Sequence, residues 1–444
     1  MSKKILSLVS FLLVAGLILA ACAPQQAATT EAPAATEAPA ATEAPVITEE
    51  PVATEEPTEE PVMTEAPPEE EGLTGTITLW HSWKENEIES LNDVIAAFQA
   101  ENPNVQFDVL YVPFDDLRGK FETAAATGGG PTVLIGAADW GPAMYDAALI
   151  ADVSGFAGDD LLGTINEAAL GSVQYKDALI GLPQTIKGVV MFRNPSIVPE
   201  APATFEDLIA AAQEATAGDV VGADLEFGFF FSAAHLNGVG GELMAENGDP
   251  LFNTPEGVEW MNLFLQAQEA GIPGENYTDN DVNLFKAGKA GIVIDGSWNL
   301  AGLVEAVGAE NVVVDPWPTP LSGYVQTESI YLSANAVDED AAAGWAFIEF
   351  FMSPEAQTIL AEPTKAAHLP AVAGVEVTDP HQQQLIEAFA GGAEFPVIPE
   401  MNAYWDPMNN AIKSVLETGT DPAAALATAE EEVNAKLVEI RGAN

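Results

Sequence analysis

From Thr76 to Ala137 the chain moves back and forth between two apolar spacings, and this switching restricts the fold more than any other feature. Thr76-Ile77-Thr78-Leu79-Trp80 alternates, as a strand with one face on a core does. Between Glu85 and Ala100, Ile88, Leu91, Ile95 and Phe98 fall at helical spacing, and Asn102-Pro103 ends the run. Val105–Tyr111 then reads as a strand and Phe114–Ala126 as a helix. Gly128-Gly129-Gly130-Pro131 breaks the chain, and Val133–Ala137 returns as a strand. This order predicts parallel pairing through right-handed crossovers, an α/β fold.

The alternation resumes after Pro183. Gly188–Arg193, Phe227–Phe231 and Gly291–Asp295 read as strands. Thr204 and Asp207 form a capping-box start for a helix to about Ala217. Pro255 opens another to Ala270, and Trp298 starts a third. The tail reads as helical over Asp340–Met352, Pro354–Leu360, His381–Ala390, Trp405–Glu417 and Pro422–Ile440. Residues 73–444 are too many for one ordinary core and suit two lobes.

What precedes residue 73 is of another kind. Lys3 and Lys4 lead into an apolar run, Ile5–Leu19, that is short for a membrane span and ends in small residues. These are the marks of a secretory leader, 1–21. Leu19-Ala20-Ala21-Cys22 resembles the bacterial lipobox, in which the cysteine receives lipid and becomes the mature N-terminus. That resemblance implies a lipid anchor at Cys22 and a place in the cell envelope, on the outer face of the cytoplasmic membrane or in a periplasm. The following tract to residue 72 is rich in Pro, Thr, Glu and Ala and has no aromatic residue. It cannot bury enough apolar surface to offset chain entropy, so it reads as a disordered linker. Fully extended at ~3.1 Å per residue, it would reach about 150 Å.

Charge and side-chain inventory exclude several functions. The chain has 68 acidic and 14 basic residues. Residues 1–72 hold 13 of the acids and two of the lysines, which leaves the body at −43. Such a field repels nucleic acid and anionic membrane faces. Cys22 is the only cysteine, which excludes disulfides and thiolate catalysis in the body. His81, His235, His368 and His381 have no metal-ligand spacing and read as surface or supporting residues. Asp279-Asn280-Asp281-Val282-Asn283 lacks the glycine and the final glutamate of a calcium loop and reads as a solvated turn capping the next helix. No Walker or dinucleotide fingerprint is present, so neither cofactor nor metal is expected.

Ligands of parallel sheets sit beyond the carboxyl ends of strands. There the sequence has Trp83, Lys84 and Glu85, then Asp139 and Trp140, then Trp298. Near the tail come Trp405 and Asp406. Singly, each indole is explained as well by packing as by stacking. Four at element boundaries, beside Asp139, Asp406 and Lys84, favour a carbohydrate cleft, since indoles cover the apolar face of a sugar and polar side chains bind its hydroxyls.

The segments TITLWHSW, ATGGGPTVLIGAADW, LIGLPQTIKGVVMFRN, FKAGKAGIVIDGSW, SPEAQTIL and PEMNAYWDPMNNAI resemble those of extracellular solute-binding proteins of carbohydrate ABC importers, the family that includes maltose/maltodextrin-binding protein. The resemblance implies a two-lobe, class II periplasmic-binding-protein-like fold. One lobe would hold residues 73–185 and 325–373, the other 186–324 and 374–444, with a hinge and a ligand cleft between them. It implies a monomer that closes on a sugar of the maltodextrin class and delivers it to a permease. Lys187 falls where family members carry a ligand-contacting acid. Asp139 matches an aspartate that binds sugar hydroxyls. Trp140 replaces a basic residue, and Gly136 stands where maltose-type proteins carry an aromatic. Trp298 and Trp405 match aromatics that stack on sugar. The rival functions are capture of another solute (a polyol, a peptide or a glycerophosphodiester), a surface sugar sensor, and a secreted glycosidase. No acid/base motif supports the last, and Arg118, Arg193 and Arg441 are few for an anionic ligand.

Overall fold

The computed structural model describes residues 72–275 and 278–443. The leader, Cys22 and the linker through residue 71 lie outside the described residues. Where the spacing alternates as above, the structure follows it. β1 (Gly75–His81), α1 (Asn86–Glu101), β2 (Val105–Tyr111), α2 (Phe114–Ala125) and β3 (Val133–Ala137) succeed one another, and β1 pairs in parallel with both β2 and β3.

The second half repeats the scheme with β4 (Leu182–Arg193), α3 (Phe205–Ala215), β5 (Asp224–Glu226), α4 (Pro255–Glu269), β6 (Gly274–Glu275), α5 (Asn280–Lys286), β7 (Ile292–Gly296) and α6 (Leu300–Val307). β7 pairs in parallel with β5, and β5 with β6. The expected capping box starts α3: the Thr204 hydroxyl accepts from the Asp207 N–H, and the Asp207 carboxylate accepts from the Thr204 N–H, both at 3.1 Å. β8 (Val313–Asp315), β9 (Tyr324–Leu332), α7 (Asp338–Phe351) and α8 (Trp405–Thr418) follow.

Long strands β4 and β9 join the two parallel groups into one sheet of order β2-β1-β3-β9-β4-β7-β5-β6. Within that order both run antiparallel to the strands beside them, and β9 also pairs in parallel with the short strand Ala393–Glu394. β9 pairs with β3 through 328–332 and with β4 through 325–330, and β4 continues alongside β7 through 189–193. Each half of the sheet is covered on both faces. In the first half, Ile77, Leu79, Ile135 and Ile330 pack against Phe98, Phe347 and Phe351, while Leu134 and Tyr331 on the other face meet Leu117 and Phe121. In the second, Met191, Leu225 and Ile294 pack against Phe264 and Ile412, while Val190 and Val293 meet Val282, Phe285 and Leu303. Among the described residues no helix is long and apolar enough to cross a membrane.

Three expectations are corrected. The run Phe227–Phe231 is not a strand. The strand is the acidic stretch before it, β5, and Phe229–Ser232 turns into a short helix. Glu226 accepts the Gly228 N–H at 2.5 Å and so turns the chain off the sheet, while the Ser232 hydroxyl donates back to the Phe227 and Gly228 carbonyls. The Asp279–Asn283 segment is not a solvated turn, since Asp281 is fully buried and Asp279 makes no side-chain cap. Three of the four histidines, His81, His235 and His368, are core residues rather than surface ones.

Candidate ligand-binding site

Two strand ends, one in each half, are built alike. β3 runs into a 3-10 turn, Ala138–Trp140, and β7 into another, Ser297–Asn299. Each turn folds a tryptophan back over a glycine of its own strand. A Cβ on Gly136 would lie 2.6 Å from the Trp140 ring, and one on Gly296 only 2.0 Å from the Trp298 ring, so neither position has room for a side chain.

Around Trp298 the second half gathers an aromatic surface. The Phe230 ring lies 6.4 Å from Trp298 and 6.4 Å from Trp405, with 30° between ring planes in both cases. Phe231 flanks Trp298 and Phe395 flanks Trp405. Trp298, Phe230 and Trp405 each keep part of their surface exposed. A row of half-covered rings in one arrangement is what the apolar face of a sugar stacks on.

Asp139 and Trp140 come to the same region from the first half. Their turn lies beside the 3-10 turn Pro399–Ala403, which directly precedes Trp405. Arg118 of α2 donates to the Asn402 side chain at 2.5 Å. Asp139 is 4% exposed, and burial pushes its carboxyl up to about 6 against the pull of the Arg118 guanidinium. The Trp140 ring is buried against Phe114, 5.0 Å away.

Other expected residues lie apart from this surface. Trp83 is 1% exposed, its ring 4.9 Å from His368, and its indole N–H donates to Glu328 at 2.8 Å. Lys187 is also buried, 3.0 Å from Glu87 and 2.9 Å from Glu328, with its ammonium over the Trp83 ring. Gln184 donates to Glu328, and the His368 ring bonds Glu87 at 2.9 Å. Burial would raise the Glu87 carboxyl, but Lys187 and His368 outweigh it and hold the group at about 2. Burial likewise opposes the charge of Lys187, yet the two carboxylates raise its pKa. Lys84 is exposed. Glu85 is exposed at φ 45° and pairs with Lys286 of α5 at 3.1 Å. Asp406 points outward to Lys436, 2.6 Å away.

Trp298 and Trp405 thus share one aromatic surface with Phe230, Phe231 and Phe395, which sequence reasoning missed. The Asp139–Trp140 turn lies next to the turn before Trp405, where Arg118 holds Asn402, and the Trp140 ring itself is core. The signal for Phe230 was present in the Phe229-Phe230-Phe231 run, but reading that run as a strand hid its position past a strand end. A groove of about 630 Å³ along α2, between Trp80 and Lys120, contains none of these residues. Among the described residues no three His, Cys, Asp or Glu side chains are grouped to hold a metal ion.

Residues 93–388 match the bacterial extracellular solute-binding protein family. The chain belongs to that family. Among curated relatives it is 26% identical over 382 residues to the maltotriose-binding protein of Pyrococcus abyssi (strain GE5 / Orsay), covering 81% of this chain and 82% of the relative. It is 24% identical over 388 residues to the galactooligosaccharide-binding protein of Bacillus subtilis (strain 168), covering 80% and 88%. Among solved structures, the GacH receptor of Streptomyces glaucescens superposes with a TM-score of 0.75 at 22% identity, covering 83% of this chain and 98% of the other. The maltose/maltodextrin-binding domain MalE from Bdellovibrio bacteriovorus, bound to maltotriose, gives 0.75 at 22% identity, covering 82% and 100%. The fold of this family member is therefore the two-lobe α/β fold of those solute-binding proteins.

Proposed function

We propose that this solute-binding protein captures a neutral oligosaccharide, of the maltodextrin class, for an ABC importer. The observation that carries the reading is the row Trp298–Phe230–Trp405, half-exposed at the carboxyl ends of the second half. The names of the relatives favour the same ligand class. The lobes are 73–185 with 325–373 and 186–324 with 374–444. In support, the buried clusters around Ile77 and Phe347 and around Leu225 and Ile412 fall on either side of those bounds.

The sugar enters between the lobes, both contribute contacts, and the closed form is selected by the ligand. The closed monomer then docks on its permease while Cys22, lipidated, keeps it at the membrane. No bond is made or broken. Micromolar binding needs about −8 kcal/mol, which stacked rings and charge-assisted hydrogen bonds supply after ordering costs.

Calorimetry with maltotriose and with a galacto-oligosaccharide tests the reading. Trp298→Ala and Trp405→Ala are each expected to weaken binding at least tenfold, or about 1.4 kcal/mol, without loss of fold. Unchanged affinity in both would overturn the site, and tighter binding of the galacto-oligosaccharide would change the sugar. Steady release of reducing ends from either sugar would make the protein a glycosidase instead.

A further inference from the structure

Beneath the aromatic surface lies a group of buried carboxylates that the sugar contacts do not use. Asp224 stands opposite Val293 and Leu225 opposite Ile294, which sets Glu226 beside Asp295 at the ends of β5 and β7. Val293 packs against Val282 and Phe285 of α5, so the face bearing Asp224, Glu226 and Asp295 is the one α5 covers. From α5 comes Asp281, fully buried, with neither carboxylate oxygen hydrogen-bonded. Asp279 stands at the cap of α5, and β4 sets Val190 opposite Asp295.

Two of the acids hold turns that carry aromatic rings. Asp295 accepts the Gly296 N–H at 2.5 Å and the Asn299 amide at 3.1 Å, and so closes the turn on which Trp298 sits. Glu226 accepts the Gly228 N–H at 2.5 Å at the start of the turn bearing Phe230 and Phe231. A carboxylate accepts such bonds about twice as strongly when ionised as when protonated. Side by side at neighbouring strand ends, the acids resist ionising together.

We propose that Asp295 and Glu226 are positioning residues of the stacking surface, and that the ionisation of this carboxylate group sets how well Trp298 and Phe230 are held for sugar. The inference rests on the sugar-binding reading above. Burial raises Asp295 to about 7, held back by the Gly296 N–H and pushed further by Glu226 and Asp279. It raises Asp281 to about 9, with Asp295, Glu226 and Asp224 adding to the rise. A raised carboxyl loses its charge as pH falls through its folded value. The grip on Trp298 should therefore weaken from roughly pH 8 to pH 6.

Maltotriose affinity of the full chain, measured by calorimetry across that range, is expected to fall on the order of tenfold on acidification. Asp295→Asn keeps an oxygen for the Gly296 N–H but cannot ionise, so its affinity should be nearly flat with pH. Glu226→Gln should shift the profile downward by removing a neighbouring charge. An Asp295→Asn profile as steep as that of the wild type overturns the proposal. A readout without ligand keeps it testable if maltotriose does not bind. The near-UV circular dichroism of the tryptophans should titrate near neutrality in the wild type, and the change should be missing from both Asp295→Asn and Trp298→Phe. A titration that persists in Asp295→Asn sinks the positioning role, whereas absence of sugar binding by the wild type counts against the sugar alone.

Discussion

Lys187 of β4 lies 2.9 Å from Glu328 of β9, a diagonal pair across the ladder that joins the two halves of the sheet. The register of that ladder shifts between Glu328 and Ser329, skipping Gln184 of β4, and the Glu328 side chain is buried. There it also takes bonds from Trp83 and Gln184. Truncating the cation leaves Glu87 and Glu328 buried without their charge partner. Lys187→Met is expected to lose about 3–5 kcal/mol of stability, read from urea unfolding. Near-wild-type stability with lost sugar affinity would instead assign Lys187 to the ligand.

Glu87 makes the same cluster sensitive to acid. Its carboxyl is held at about 2 in the fold against an ordinary value of 4.5. A depressed carboxylate stabilises the fold above its unfolded value and loses that contribution as pH falls through the folded one. The contribution, on the order of 3 kcal/mol, should therefore be present above pH 4.5 and vanish toward pH 2. Stability measured between those limits should fall less steeply in Glu87→Gln than in the wild type. Parallel slopes would remove Glu87 from the acid response.

Much of the fold was legible because periodicity is a local signal. β1 through β3 and the helices between them follow from apolar spacing alone. β9 was not legible: Tyr324–Leu332 has Gln326, Thr327, Glu328 and Ser329 at its centre, which give no strand pattern of apolar residues. They tolerate burial or half-burial because β4 lies alongside and the Lys187 cluster takes up Glu328. The same holds for the site. Trp298 and Trp405 stand out at element boundaries and do meet in one aromatic surface. Trp83 has the same sequence signature but is core, because its partner Glu328 is 245 residues away.

The glycines under the two tryptophans give a steric test. A methyl at Gly296 would meet the Trp298 ring at 2.0 Å, which no small shift relieves. Gly296→Ala should therefore displace the indole, change the near-UV spectrum, and weaken sugar binding at least tenfold. Gly119 of α2 is the control, since a Cβ there meets nothing within 4 Å. Gly119→Ala should raise stability by about 0.5–1 kcal/mol through helix propensity and leave affinity alone. Equal affinities in the two variants would mean that the Trp298 position does not matter for the ligand.

Arg193 closes β4 and is committed to the fold. Its guanidinium holds Asp315 of β8 with two bonds, at 2.5 and 3.0 Å, and donates to the Val198 and Pro199 carbonyls at 2.9 Å each. A lysine keeps the charge but cannot reach four acceptors in one plane. Arg193→Lys is expected to cost about 2–4 kcal/mol, because carbonyls and a carboxylate oxygen are left buried without donors. Sugar affinity at a temperature where the variant is folded should match the wild type, since the guanidinium is spent within the second half. Loss of affinity without loss of stability would instead make Arg193 a ligand residue and reopen the case for an anionic solute.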